Sequence, residues 1–83
     1  IAIGALDVIR QNELRVPDDI ALIGFDDIDA ASLVTPALTT VSNRAYEMGR
    51  AAGGLLISRF LGTFHGPVRH LVMPTTLIVR ESA

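Results

Sequence analysis

Apolar residues recur along this chain with two periods, one helical and one extended, and the alternation between them predicts its elements. Ala2, Ala5, Leu6 and Ile9 fall at helical spacing, with Asp7, Arg10 and Gln11 off that face. They predict a helix over 2–12 with a narrow apolar stripe, ended by Asn12-Glu13-Leu14-Arg15. Val16-Pro17-Asp18-Asp19 reads as a turn, because proline fixes φ and the aspartates bond to local backbone. Ile20 to Phe25 is then an unbroken apolar run that stops at Asp26 and Asp27. A run with no polar face predicts a parallel strand buried on both sides, with an acidic residue at its carboxyl end. Helix, turn and strand in this order form half of a βαβ unit, so the fold class is α/β.

Ile28 to Val34 reads as a short helical turn whose first amides Asp27 or Asp29 can cap, and Thr35-Pro36 should end it. Leu38 to Val41 predicts a second strand. Ser42 or Asn43 is placed to cap a longer helix over Arg44–Phe60, whose stripe is Ala45, Met48, Ala52, Leu55, Leu56 and Phe60. Gly49, Gly53 and Gly54 lower helix propensity, so they predict close approach to a strand or a ligand. Gly62 is a candidate helix cap and Thr63 to Pro67 a loop. Val68–Met73 predicts a strand, Pro74 interrupts it, and Thr76–Val79 predicts another.

Length changes this picture. The chain has 83 residues, and a domain of that size buries only about 60–65% of its extended surface. Each parallel pairing also needs a crossover of a dozen residues or more, so the sheet implied by Ile20–Phe25 calls for more strands than the chain supplies. The expectation is a piece of a larger domain, consistent with an apolar helix that begins without a capping residue.

With no cysteine there is no disulfide framework and no sulfur metal site. No apolar run reaches the length of a membrane helix, so no membrane partner is expected. The net charge of −2 gives no footprint for nucleic acid. Charge is divided unevenly. Residues 1–34 carry Asp7, Glu13, Asp18, Asp19, Asp26, Asp27 and Asp29 against Arg10 and Arg15, whereas 35–83 carry Glu47 and Glu81 against five arginines.

Asp26 is the sharpest candidate for chemistry. A carboxylate at the end of a parallel strand sits where open α/β sheets bind ligands, and it accepts hydrogen bonds from adjacent hydroxyls, which suits a sugar or nucleoside rather than an anion. The bland reading, a capping or turn aspartate, holds more strongly for Asp27 and Asp29. Together the three also form a candidate oxygen set for Mg²⁺ or Ca²⁺, with Thr39 or Thr40 nearby, as in phosphoryl transfer. Their spacing matches neither a calcium loop nor a P-loop, and the chain has no lysine. His65 and His70 read as surface residues, and no nucleophile motif is present. Tyr46 either faces a cleft or packs beside it.

Five motifs stand in register: Val16-Pro17-Asp18-Asp19-Ile20, Gly24-Phe25-Asp26-Asp27, Pro36-Ala37-Leu38-Thr39-Thr40, Met48-Gly49 and Leu77-Ile78-Val79-Arg80-Glu81-Ser82. In order and spacing they resemble the C-terminal part of the effector-binding domain of LacI/GalR-family bacterial transcription regulators, over essentially the whole chain. The resemblance implies a fragment of a periplasmic-binding-protein-like fold, in which two α/β subdomains with parallel sheets flanked by helices enclose a small molecule, commonly a sugar or purine. It implies that residues 1–41 belong to the C-terminal subdomain and end in a crossover strand, that 42–70 belong to the N-terminal subdomain, and that 71–83 return.

On this resemblance Asp26 and Asn43 bind ligand, Asp27 and Tyr46 are possible cleft-lining residues, and Ala45 stands where other members present an aromatic ring. Ala2, Ala5, Leu6 and Ile9, with Ser32, Leu33, Thr35 and Pro36, match the dimerisation surfaces. The implied protein is cytoplasmic, noncatalytic and free of metal and cofactor. Its partners are a small-molecule effector, a second copy, and DNA reached through an upstream domain outside this chain. The rivals are a periplasmic sugar-binding protein for transport or chemotaxis and a Mg-dependent phosphoryl-transfer enzyme. One departure stands out: Glu13 occupies the place of the usual helix-ending glycine, so the turn changes or the helix runs on.

Overall fold

The computed structural model describes residues 1–83. Its elements are α1 (Ala2–Gln11), β1 (Ile23–Phe25), α2 (Ala30–Leu33), β2 (Thr39–Ser42), α3 (Ala45–Phe60) and β3 (Thr76–Ile78). Helix α1 forms where its spacing predicted and buries Leu6, which is 1% exposed. Its N-terminus lies against β1 at Gly24, where an added Cβ would stand 3.2 Å from Ala2 Cβ and 2.9 Å from Leu38 Cδ2. Glycine there lets helix, strand and the approach to β2 meet.

The end of α1 resolves the Glu13 question. Glu13 adopts φ 58°, its amide donates to Arg10 O at 2.9 Å, and the Leu14 amide donates to Ile9 O at 3.2 Å. This is the paired bonding of a Schellman cap, so the turn is kept and a non-glycine residue bears the left-handed conformation. The turn that follows is clipped by Asp19, which accepts from the Arg15 amide at 2.8 Å and from Arg15 Nε at 3.2 Å. These bonds hold the Asp19 carboxyl below its usual range and raise Arg15. On so exposed a pair they stabilise the turn only weakly.

The three strands form one sheet in the order β1-β2-β3. β1 and β2 are parallel, with Ile23 opposite Thr39 and Phe25 opposite Val41. β2 and β3 are antiparallel, with Thr40 opposite Ile78 and Ser42 opposite Thr76. The sheet is therefore mixed where parallel pairing was expected. The reason is topological: the chain leaves along β2, passes through α3 and comes back along β3 in the opposite direction.

Other expectations are corrected too. β1 spans three residues rather than all of Ile20–Phe25, and Ile23 and Phe25 are 55% and 64% exposed. The run has the composition of a strand covered on both faces, but within this chain only one face and one edge meet anything. Beside the unpaired edge lies a groove of about 580 Å³ between α1 and β1, lined by ten hydrophobic residues of thirteen. Asp29 takes the N-cap position of α2 and Arg44 that of α3, neither with a side-chain cap bond. Ser42 Oγ instead accepts from the Arg44 amide at 3.2 Å, because Arg44 turns left-handed at φ 51°.

Val68–Met73 forms no strand, having no sheet edge to pair with. Leu71 and Met73 instead line a small groove with Met48, Ala52 and Leu55, so that segment runs along the apolar stripe of α3. The stripe is otherwise uncovered and α3 buries no residue. Gly49, Gly53 and Gly54 meet nothing within 4 Å, so the close approach expected of them is absent within the chain. Gly62, at φ 72°, ends α3 with the Gly62 amide on Arg59 O and the Thr63 amide on Ser58 O, the predicted cap in Schellman form.

The molecule is long, 59 × 16 × 15 Å with a radius of gyration of 18.2 Å, against about 12 Å for a compact domain of this length. Only six residues are buried, and three of them, Thr39, Thr40 and Ser82, are polar. The sheet is joined through them. Ser82 Oγ donates to Leu22 O at 2.6 Å and accepts from the Thr39 amide at 2.8 Å. Leu22 N donates to Ser82 O, and Ser82 N to Ala37 O. One buried hydroxyl thus ties the roots of β1 and β2 to the chain after β3.

Candidate functional site

The carboxyl ends of β1 and β2 lie side by side, and both residues expected to bind ligand stand there. Asp26 follows the last residue of β1; its amide continues the ladder by donating to Val41 O at 2.9 Å. Asn43 follows the last residue of β2 and donates from Nδ2 to Asp26 Oδ1 at 2.8 Å. The parallel register puts these two ends level, which is why residues 17 positions apart become partners. The other Asn43 amide atom, Oδ1, is buried and has no hydrogen-bond partner. Such an atom costs free energy until a donor reaches it. The exposed Asp26 carboxylate is therefore open as an acceptor to a group arriving with hydroxyl or N–H donors, whereas the Asn43 oxygen is covered and becomes available only if the amide moves.

Backbone conformation sets this geometry. Asp26 and Asp27 have φ of 84° and 48°, a region that costs a non-glycine residue roughly 1–2 kcal/mol. The double turn is held from below: the Asp27 amide donates to Thr40 Oγ1 at 3.2 Å, and the Asp27 carboxylate accepts from Arg80 Nη1 at 2.8 Å. That ion pair is part-buried, with side chains 24% and 21% exposed.

Asp27 is thereby turned toward Arg80. Asp29 sits at the start of α2, and no group of three or more acidic or histidine side chains converges to hold a metal ion, so the triple-carboxylate set is not formed. Tyr46 projects from the first turn of α3, 74% exposed. Of the surface positions, Leu6 is buried within the chain and has no area left for a partner. Leu33 is 78% exposed, and Ala5, Ser32 and Thr35 are also open.

Residue-level reasoning assigned no bonding role to Arg80 or Ser82 and gave Thr40 only a place beside a candidate metal set, not its bond to the Asp27 amide. A signal was present: hydroxyls at Thr39 and Thr40, inside an extended segment meant for burial, need partners, and an Arg-Glu-Ser segment right after the last strand supplies donors.

Residues 1–83 match the periplasmic binding protein-like domain. The chain belongs to that family. Several of the matching solved structures are LacI-type transcription regulators. A probable opine utilization operon repressor from Rhizobium rhizogenes is 39% identical over 82 residues, covering 99% of this chain and 41% of that protein. Among solved structures, the transcriptional regulator CelR in complex with cellobiose superposes with a TM-score of 0.89 at 41% identity, over 99% of this chain and 25% of that one. A LacI family transcriptional regulator from Arthrobacter sp. FB24 in complex with lactose gives a TM-score of 0.88 at 34% identity, over 98% and 30%. The chain thus spans between a quarter and two fifths of these relatives. The α/β reading and the family resemblance hold, and the fold is periplasmic-binding-protein-like. No helix is long and apolar enough to cross a membrane.

Proposed function

We propose that this chain is part of the effector-sensing region of a noncatalytic, cytoplasmic transcription regulator, and that Asp26 and Asn43 bind a hydroxyl-rich small molecule. The observation that carries the reading is the Asp26–Asn43 pair at the carboxyl edge of two parallel strands, with Asn43 Oδ1 buried and lacking a donor. Relatives solved with cellobiose and with lactose support a carbohydrate. DNA contact is assigned to upstream sequence, since net charge −2 supplies no phosphate-binding surface. A second copy is assigned to α1 and α2, through the exposed Ala5, Ser32, Leu33 and Thr35 with the half-buried Ala2, Ile9 and Pro36 at their border.

Residues up to β2 are assigned to one lobe and α3 with the chain around it to the other, so that ligand bridges them. Its binding shifts the angle between lobes only insofar as it prefers one angle to another.

Calorimetric titration of the full-length protein with cellobiose, lactose and a panel of monosaccharides and nucleosides tests this. Asp26→Asn should weaken the ligand found by about 2 kcal/mol, roughly thirtyfold, the worth of a hydrogen bond to a charged acceptor. Unchanged affinity in both Asp26→Asn and Asn43→Ala would remove the pair from the binding site.

A further inference from the structure

Arg80 lies far along the sequence from the Asp26–Asn43 pair, yet its guanidinium touches the supports of both members. Nη1 donates to Asp27 Oδ1 at 2.8 Å and to Leu38 O at 2.9 Å. Asp27 is the second residue of the left-handed turn that carries Asp26. Leu38 immediately precedes β2, the strand that delivers Asn43. The Arg80 amide meanwhile donates to Thr39 Oγ1 at 2.8 Å, which fixes the backbone from which the side chain starts. One cation therefore joins the loop bearing the carboxylate to the root of the strand bearing the amide.

We propose that Arg80 is the positioning residue of this site: it acts through Asp27 to hold Asp26 in its strained backbone conformation and in register with Asn43. This rests on the reading of Asp26 and Asn43 as ligand contacts. Two successive non-glycine residues at positive φ persist only where surrounding bonds over-determine them. Here those bonds are the Asp26 amide to Val41 O, the Asp27 amide to Thr40 Oγ1 and the Asp27–Arg80 pair. The first two are neutral; the third is charge-assisted and part-buried, and so the strongest of the set. Without it the turn is free to relax toward negative φ, which swings the Asp26 carboxylate away from Asn43 Nδ2. Both Arg80 side-chain bonds leave a single nitrogen, so a lysine ammonium, a point donor with three protons, reproduces much of the function. An uncharged amide reproduces little.

The test is hydrogen exchange resolved to single amides, in the full-length protein and its Arg80→Gln, Arg80→Lys and Asp27→Asn variants, with cellobiose titrated in parallel. Arg80→Gln and Asp27→Asn should each speed exchange at Asp26 and Asp27 at least tenfold while the α1 amides change less than twofold. Arg80→Lys should recover most of the protection, and the double variant should add nothing to either single one. Unchanged exchange at Asp26 and Asp27, or equal acceleration throughout α1, overturns the proposal whether or not cellobiose binds. If cellobiose binds and Asp26→Asn weakens it while Arg80→Gln does not, positioning fails and the ligand reading survives. If neither variant weakens it, the ligand reading fails and the exchange rates alone decide the role of Arg80.

Discussion

Removing the Ser82 hydroxyl strands a buried donor and a part-buried acceptor at once. Ser82 is 0% exposed and Thr39 is 1% exposed. In Ser82→Ala the Thr39 N–H loses its acceptor at 2.8 Å and Leu22 O loses its donor at 2.6 Å. The Ser82 backbone bonds to Ala37 and Leu22 remain, so the change isolates the hydroxyl. A buried donor or acceptor left unsatisfied costs about 1–3 kcal/mol. The bond to Leu22 O is only part-buried, so the sum should come to about 2–4 kcal/mol. Urea denaturation of the full-length protein followed by far-ultraviolet circular dichroism measures it, by linear extrapolation. Ser32→Ala is the control: its hydroxyl donates to Asp29 O at an exposed position, and its loss should cost less than about 0.5 kcal/mol. A Ser82→Ala cost below that of Ser32→Ala would refute the claim that this hydroxyl joins the strand roots.

Two further substitutions probe the backbone. Glu13→Gly should stabilise the protein by about 0.5–1 kcal/mol, since the left-handed cost falls away and only part of it returns as unfolded-chain entropy; a lower denaturation midpoint would show that Glu13 makes a compensating contact. Gly24→Ala would place a methyl 2.9 Å from Leu38 Cδ2 and 3.2 Å from Ala2 Cβ, and should cost about 1–3 kcal/mol through overpacking. Wild-type stability in Gly24→Ala would mean that α1 gives way without resistance.

Periodicity carried most of the helical structure. The stripe from Ala45 to Phe60 matches α3, and the spacing of Ala2, Leu6 and Ile9 matches α1, because a helix needs only local bonds and one apolar face. Strand extent was less legible. Val68–Met73 has strand composition but no neighbouring edge, and composition cannot say whether an edge exists. The joints were least legible of all. The bonds of Ser82 to Leu22, Arg80 to Asp27 and Asn43 to Asp26 link residues 60, 53 and 17 positions apart. They depend on strand register, which no local pattern encodes. Asn43 was reached only through resemblance, and Asp26 through its place at the end of an apolar run.

The distribution of these joints bears on how the proposed sensor transmits its signal. Ser82 ties the roots of β1 and β2 to the chain after β3, and Arg80 ties the Asp27 turn beyond β1 to the same chain, so Asp26 stands on a loop braced from that side. The β2–β3 ladder extends outward to Ser42 opposite Thr76 and stops there. Asn43, the next residue, is the first beyond the ladder, and Arg44 follows in a left-handed conformation before α3 begins. The carboxylate thus sits on the turn that Arg80 braces, and the amide at the base of the arm that carries α3. A ligand engaging both side chains spans the point where the arm leaves the sheet, and the free energy available to set the arm's angle is limited to the difference in its affinity for the alternative angles. The 2.8 Å bond between Asp26 and Asn43 already restrains that angle without ligand.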